Sequence, residues 1–200
     1  MILNPVDVVE HIDKEDFQKI YFKPHRPLLI KGFAKQWGAY EKWNLDYIRE
    51  KAGDQVVPIY DNKPADANKS SDTPATKMKM KDYIDIIKSK PSDLRIFFYI
   101  ITDRLPELLK DFTYPDLGMK FFKRLPTLFF GGSEAHVLMH YDVDLGDFFH
   151  VHFGGKKRIL LFDQKQNELL YKVPLSVHTI EEIDYDNPDY EKYPALKYAT

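Results

Sequence analysis

The chain has 200 residues, 44% of them hydrophobic and 14% aromatic, and a net charge of −2; a chain of that length buries about 70% of its unfolded surface and needs no staples. With no cysteine, disulfide scaffolds, thiolate zinc sites, iron–sulfur clusters and cysteine nucleophiles are excluded, and any metal must be held by His, Asp, Glu or backbone oxygen. The near-balanced charge argues against strong electrostatic attraction to nucleic acid or anionic membrane. No stretch reaches the ~20 apolar residues of a membrane helix, and the acidic start is unlike a signal peptide, so the expected location is the cytoplasm.

In chain order, DKEDFQKIYF (13–22) reads as a short helix opened by an acid and broken by Pro24 and Pro27. PLLIKGF (27–33) reads as a strand. WNLDYIREKAG (43–53) carries Leu45, Ile48 and Ala52 at helical spacing and stops at Gly53. QVVPIY (55–60) is strand-like, with Pro58 marking an edge or an end. Residues 61–77 are small and polar without periodicity and predict an exposed loop. KMKDYIDIIKSK (79–90) predicts an amphipathic helix ended by Pro91. LRIFFYII (94–101) predicts a strand, and LPELLKDF (105–112) a helix with Pro near its start. Then 127–132, 135–144, 147–153 and 157–162 read as successive glycine-punctuated strands, followed by a short helix from 163. Helices first and strands late imply an α+β or barrel-type fold rather than alternating βαβ.

The stretch LMHYDVDLGDFFHVHFGGKKRILLF (138–162) concentrates the chemistry. On a strand, residues two apart face the same way, so His140 and Asp142 are expected side by side. One imidazole and one carboxylate are two of the three donors of the 2-His-1-carboxylate triad, which favours Fe(II) and leaves positions open. The H-x-D pattern alone is weak: with seven His it is expected less than once, yet it occurs twice. In the other copy, His11-Ile12-Asp13, Asp13 serves better as a helix N-cap. Downstream, Gly155-Lys156-Lys157 leads into another apolar strand. A lysine facing inward there is costly to bury unless an anion pairs with it, and a dicarboxylate is such an anion. His150 and His152 share a face opposite Phe149, Val151 and Phe153. They are the weak local candidates for a third donor, or else line a polar barrel mouth. His136 reads as a residue supporting the ligands from behind or as a solvated edge histidine, Asp144 as a strand-end acid, His178 as surface, and Trp37 and Trp43 as packing.

These segments, together with FKPHRPLLIKGFAKQWGAYEKW (22–43) and NPDYEKYPALKYAT (187–200), resemble the cupin-like branch of the JmjC superfamily. Its members include 2-oxoglutarate- and Fe(II)-dependent oxygenases related to the asparaginyl hydroxylase called factor inhibiting hypoxia-inducible factor. The resemblance implies a mainly β fold, a double-stranded β-helix (jelly roll, cupin) with flanking helices, incomplete at the C-terminus. It implies one domain over 1–200, with a helical N-terminal lobe and lead-in strands over 1–92, and the first part of the jelly roll over 93–200. Position by position, His140 and Asp142 match the first two iron ligands. Lys157 matches the residue that pairs with the distal carboxylate of 2-oxoglutarate. Tyr99 is a second contact to that carboxylate, with a register that could slip to Phe97 on the same side. Two positions depart: Val137 stands where relatives often carry Thr, and the family's last His falls beyond Thr200. The resemblance thus implies a dioxygenase (hydroxylase type) if a histidine beyond Thr200 or on another chain completes the set. The alternative is a non-catalytic cupin-like binding module without a full triad. The expected cofactors are Fe(II) and 2-oxoglutarate as co-substrate. The expected substrate is a protein side chain or small molecule, with no membrane or nucleic-acid partner, in a monomer or homo-oligomer.

Overall fold

The structure, a computed structural model, describes residues 1–63, 73–142, 144–170 and 183–200. It forms two compact units, Met1–Lys31 with Leu138–Thr200, and Gly32–Val137. Among the described residues no helix is long and apolar enough to cross a membrane.

In the first unit, β1 (Asp7–Val9) pairs in parallel with β2 (Leu28–Ile30), Val8 lying opposite Leu29. Between them, α1 (Lys14–Asp16) starts where the Asp13 carboxylate accepts the Asp16 amide at 2.9 Å. The H-x-D decoy is therefore a helix cap. The helix widens into a π-helical turn, Phe17–Phe22, that buries Phe17 and Tyr21. Arg26 closes this turn, donating to Asp7 at 2.7 Å and lying over the Tyr21 ring. The short β1 went unread in the sequence, although PVDVV carries β-branched residues. Toward the C-terminus, Ile183, Tyr193 and Leu196 form a small core, with Met139, Phe162 and Tyr190 packed against it. Leu161 and Thr200 exchange both backbone hydrogen bonds, each at 2.9 Å. A 3-10 turn follows Asp163, where a short helix was expected.

The second unit opens with α2 (Gly38–Lys42) and α3 (Leu45–Ala52), the latter capped by Asn44, whose side chain accepts the Tyr47 amide at 2.9 Å. β3 (Val56–Ile59) pairs antiparallel with β4 (Thr76–Lys79), which runs into α4 (Met80–Ser89). The expected 61–77 loop thus ends earlier than read, and 64–72 lie outside the described residues. Met80, Tyr83 and Ile84 are fully buried, and Arg49 grips Asp85 with two bonds of 2.8 and 2.9 Å. A Tyr60–Arg95 bridge joins the end of β3 to β5 (Arg95–Ile100), which pairs antiparallel with β6 (Thr127–Gly131). The turn after β5 is α5 (Ile101–Arg104), and 106–111 is a 3-10 helix.

Two expectations need correction. The segments 135–144, 147–153 and 157–162 form no strand among the described residues. A strand is a property of a ladder, and apolar alternation alone cannot satisfy the backbone without a paired neighbour. The alternation itself survives: Phe149, Val151 and Phe153 are half-buried while Phe148, His150 and His152 are exposed. In β5 the register shifts between Ile96 and Tyr99, with Phe98 at φ 50°. A bulge adds a residue to one strand, so Ile96 and Tyr99 share the buried face. Phe97 does not share Tyr99's side; it packs on Tyr60, Phe129 and the Arg95 guanidinium.

Asn62 ties this unit together. Its side-chain oxygen accepts from Arg95 Nη1 at 2.6 Å and from the His136 amide at 3.2 Å. Its amide nitrogen donates to the Glu134 carbonyl at 2.9 Å, and its backbone N–H to Asp93 at 3.1 Å. Gly132 lets the same segment approach closely, since a Cβ there would meet the Ser92 carbonyl oxygen at 2.2 Å. Asn62→Ala removes three side-chain bonds at a half-buried site. It is expected to destabilise the chain by about 1–3 kcal/mol in urea unfolding; Asn62→Asp, which keeps only the acceptors, should fall between.

Candidate metal centre

His140 and Asp142 meet. His140 Nε2 lies 3.7 Å from Asp142 Oδ1. The other ring nitrogen, Nδ1, lies 2.8 Å from the Leu138 carbonyl oxygen. A carbonyl can only accept, so Nδ1 carries a proton, and in the neutral ring Nε2, on the Asp142 side, is the nitrogen able to bind a metal. Fixing the tautomer through a backbone carbonyl is how metal-binding imidazoles are commonly oriented. Two donors on one ion at about 2.0–2.2 Å stand roughly 3.0–3.4 Å apart. A side-chain adjustment of about half an ångström brings this pair there. The donor types and the tautomer fit a divalent ion of intermediate hardness.

The turn that follows is built from its own side chains. The Leu145 amide donates to the Asp142 carbonyl at 3.0 Å, and the Gly146 amide to Asp144 Oδ1 at 3.3 Å. Leu145 takes φ 50°, left-handed backbone that costs a branched residue roughly 1–2 kcal/mol. Asp144 thus holds a turn, and with no strand over 135–144 among the described residues it is not the strand-end acid the sequence suggested. Further on, Asp147 Oδ1 lies 3.7 Å from His25 Nδ1, a link between remote segments that no local pattern signals.

The remaining candidates stand elsewhere. His150 and His152 stack with ring centroids 6.4 Å apart. Among the described residues no cluster of three His, Asp or Glu that could hold a metal forms, so neither ring joins His140 and Asp142. Desolvation, the Lys157 charge and His152 all lower the pKa of His150. Lys157 is exposed, so the burial cost that drew notice to it in the sequence does not operate in this arrangement. In the second unit, Tyr99 is buried and its hydroxyl donates to Gln55 Oε1 at 2.9 Å. Burial pushes that phenol up to about 12, which keeps it a neutral donor. His136 is held through its backbone by Asn62, and His178 lies outside the described residues.

Known proteins are similar to this chain over most of its length. Lysine-specific demethylase 8 of Xenopus tropicalis is 25% identical over 194 residues, 93% of this chain and 42% of the relative. tRNA wybutosine-synthesizing protein 5 of Gallus gallus is 27% identical over 218 residues, 97% of this chain and 65% of the relative. JmjC domain-containing protein F of Dictyostelium discoideum is 24% identical, covering 92% of this chain and 51% of the relative. The chain therefore spans about half the length of the curated relatives it matches. Residues 14–200 match the family model described as Cupin-like domain. That match includes the positions of the imidazole–carboxylate pair, and on it the chain belongs to the JmjC-type cupin-like family.

Proposed function

We propose that the chain is a 2-oxoglutarate- and Fe(II)-dependent oxygenase of the hydroxylase type. The observation that carries this reading is the approach of His140 Nε2 to Asp142 Oδ1 at 3.7 Å, with Nδ1 turned away onto the Leu138 carbonyl. His140 and Asp142 would hold the ion. The bound iron and keto acid would supply the oxidising power for C–H hydroxylation. The third donor is a histidine outside the described residues, on this polypeptide or another, the jelly roll being closed by strands that these residues do not supply. Lys157 offers a permanent cation to the distal carboxylate of 2-oxoglutarate, a charge-assisted bond of roughly 1.5–3 kcal/mol once desolvated. The substrate is a protein side chain or a small molecule. Relatives named for lysine demethylation favour the first, and the relative named for tRNA wybutosine synthesis makes an RNA base the competing outcome of a substrate screen.

Succinate release in the presence of Fe(II) and 2-oxoglutarate tests the reading. The wild-type chain should exceed His140→Ala clearly; equal background in both sinks it. The rival reading, a cupin-like binding module without a working triad, predicts no stoichiometric Fe(II). One tightly held Fe(II) per chain, lost in His140→Ala, would exclude that module.

A further inference from the structure

His150 and His152 lie outside the pair just described, and their imidazoles are unspent. Both residues reach the surface, with the His150 ring partly desolvated. Their rings lie nearly parallel, 22° apart, with centroids separated by 6.4 Å. Neither ring has a hydrogen-bond or ion-pair partner among the described residues. The presentation is not accidental. Phe149, Val151 and Phe153 are half-buried on the other side of the extended segment, anchoring it so that residues 150 and 152 project together. Two imidazoles sharing a tetrahedral ion at about 2.0–2.1 Å per nitrogen place their ring centres about 5 Å apart. Rotation about the exposed side-chain torsions supplies the remaining ångström or so.

We infer that His150 and His152 form a second divalent-cation site, a two-imidazole chelate for Ni2+, Cu2+ or Zn2+, separate from His140 and Asp142. The donor type selects the metal: imidazole without carboxylate suits these ions and not Mg2+ or Ca2+. Separateness rests on geometry, because the rings join no three-donor cluster with His140 and Asp142 among the described residues. Lys157, near enough to bear on His150, opposes the bound charge. The solvent that both groups face screens that repulsion. The remaining coordination positions are open to water.

Titration of the full chain with Ni2+, followed by ring resonances of isotope-labelled histidine, tests the site. Signals of His150 and His152 should broaden first. His150→Ala and His152→Ala should each weaken Ni2+ binding about tenfold or more, since each removes one arm of the chelate. His150→Gln should do the same without loss of bulk. Asp142→Asn should leave the Ni2+ broadening of the His150 and His152 signals unchanged, and His150→Ala should leave Fe(II)-dependent succinate release unchanged. Unaltered Ni2+ binding in both alanine variants overturns the site. Equal loss of that broadening in Asp142→Asn, or loss of succinate release in His150→Ala, overturns its separateness while leaving the oxygenase reading standing.

Discussion

Asp142→Asn is expected to lower Fe(II) affinity and succinate release by at least about 100-fold, the upper end of what losing a mere outer-sphere partner costs a metal site. The substitution keeps size and shape and changes two things. It removes the anionic oxygen that offsets a divalent charge. It also places an N–H donor within reach of the His140 Nε2 lone pair, 3.7 Å from the present carboxylate oxygen. The amide can rotate to donate to that lone pair, so one substitution removes one ligand and occupies the other. Asp142→Glu keeps the charge on a longer arm and should retain more binding than the amide. Both side chains are about half exposed, so the melting temperature should move little, and the loss can be assigned to the metal. Competition with a coloured Fe(II) chelator gives the affinity. If Asp142→Asn binds within a few-fold of wild type, the pair is no metal centre, whatever its geometry.

The features legible in the sequence were those written locally. The Asp13 cap, the buried stripe of Ile48 and Ala52, and the Pro106 start of the 3-10 helix each follow from a few neighbouring residues. So does the pairing of His140 with Asp142, because extended backbone turns residues two apart to one side even without a ladder. Position 99 was legible in type and not in facing, because one extra residue at 97–98 reverses the alternation that a pure period-two reading assumes. The strands expected over 135–162 were not legible as strands, since their apolar alternation names a face and not a partner. The Asn62 clasp and the His25–Asp147 contact join residues 31 to 122 positions apart, and nothing in composition announces them. Asp111 is the extreme case. It sits among aromatic residues in a helix-like run and reads as an ordinary surface acid.

Asp111 is instead buried, at 4% exposure. Its Oδ1 accepts from Lys42 Nζ at 2.8 Å, and its Oδ2 from Trp43 Nε1 at 3.1 Å. It thereby locks α2 to the 3-10 helix beneath the Trp37–Phe112–Trp43 aromatic cluster. Asp111→Ala is expected to destabilise the chain by about 2–4 kcal/mol, because it strands the buried indole N–H and removes a charged bond from a low-dielectric site. For a chain of this size that lowers the melting temperature by roughly 5–15 °C. Asp111→Asn retains an acceptor for Trp43 and should cost less. The pH dependence carries a sign. Burial alone would raise the Asp111 carboxyl, but the bonds from Lys42 and Trp43 outweigh it and hold the group below its ordinary 3.8. A lowered folded value means the contribution is present above about pH 4 and is lost as pH falls further. The stability gap between wild type and Asp111→Ala in urea should therefore narrow as pH falls below about 4. The exposed Asp54, held at about 2 by Lys81 and Lys79, serves as control. It too is an acid between lysines, but solvent screens it. If Asp54→Ala costs as much as Asp111→Ala at neutral pH, the stabilisation comes from ion pairing in general, and burial beside Trp43 adds nothing.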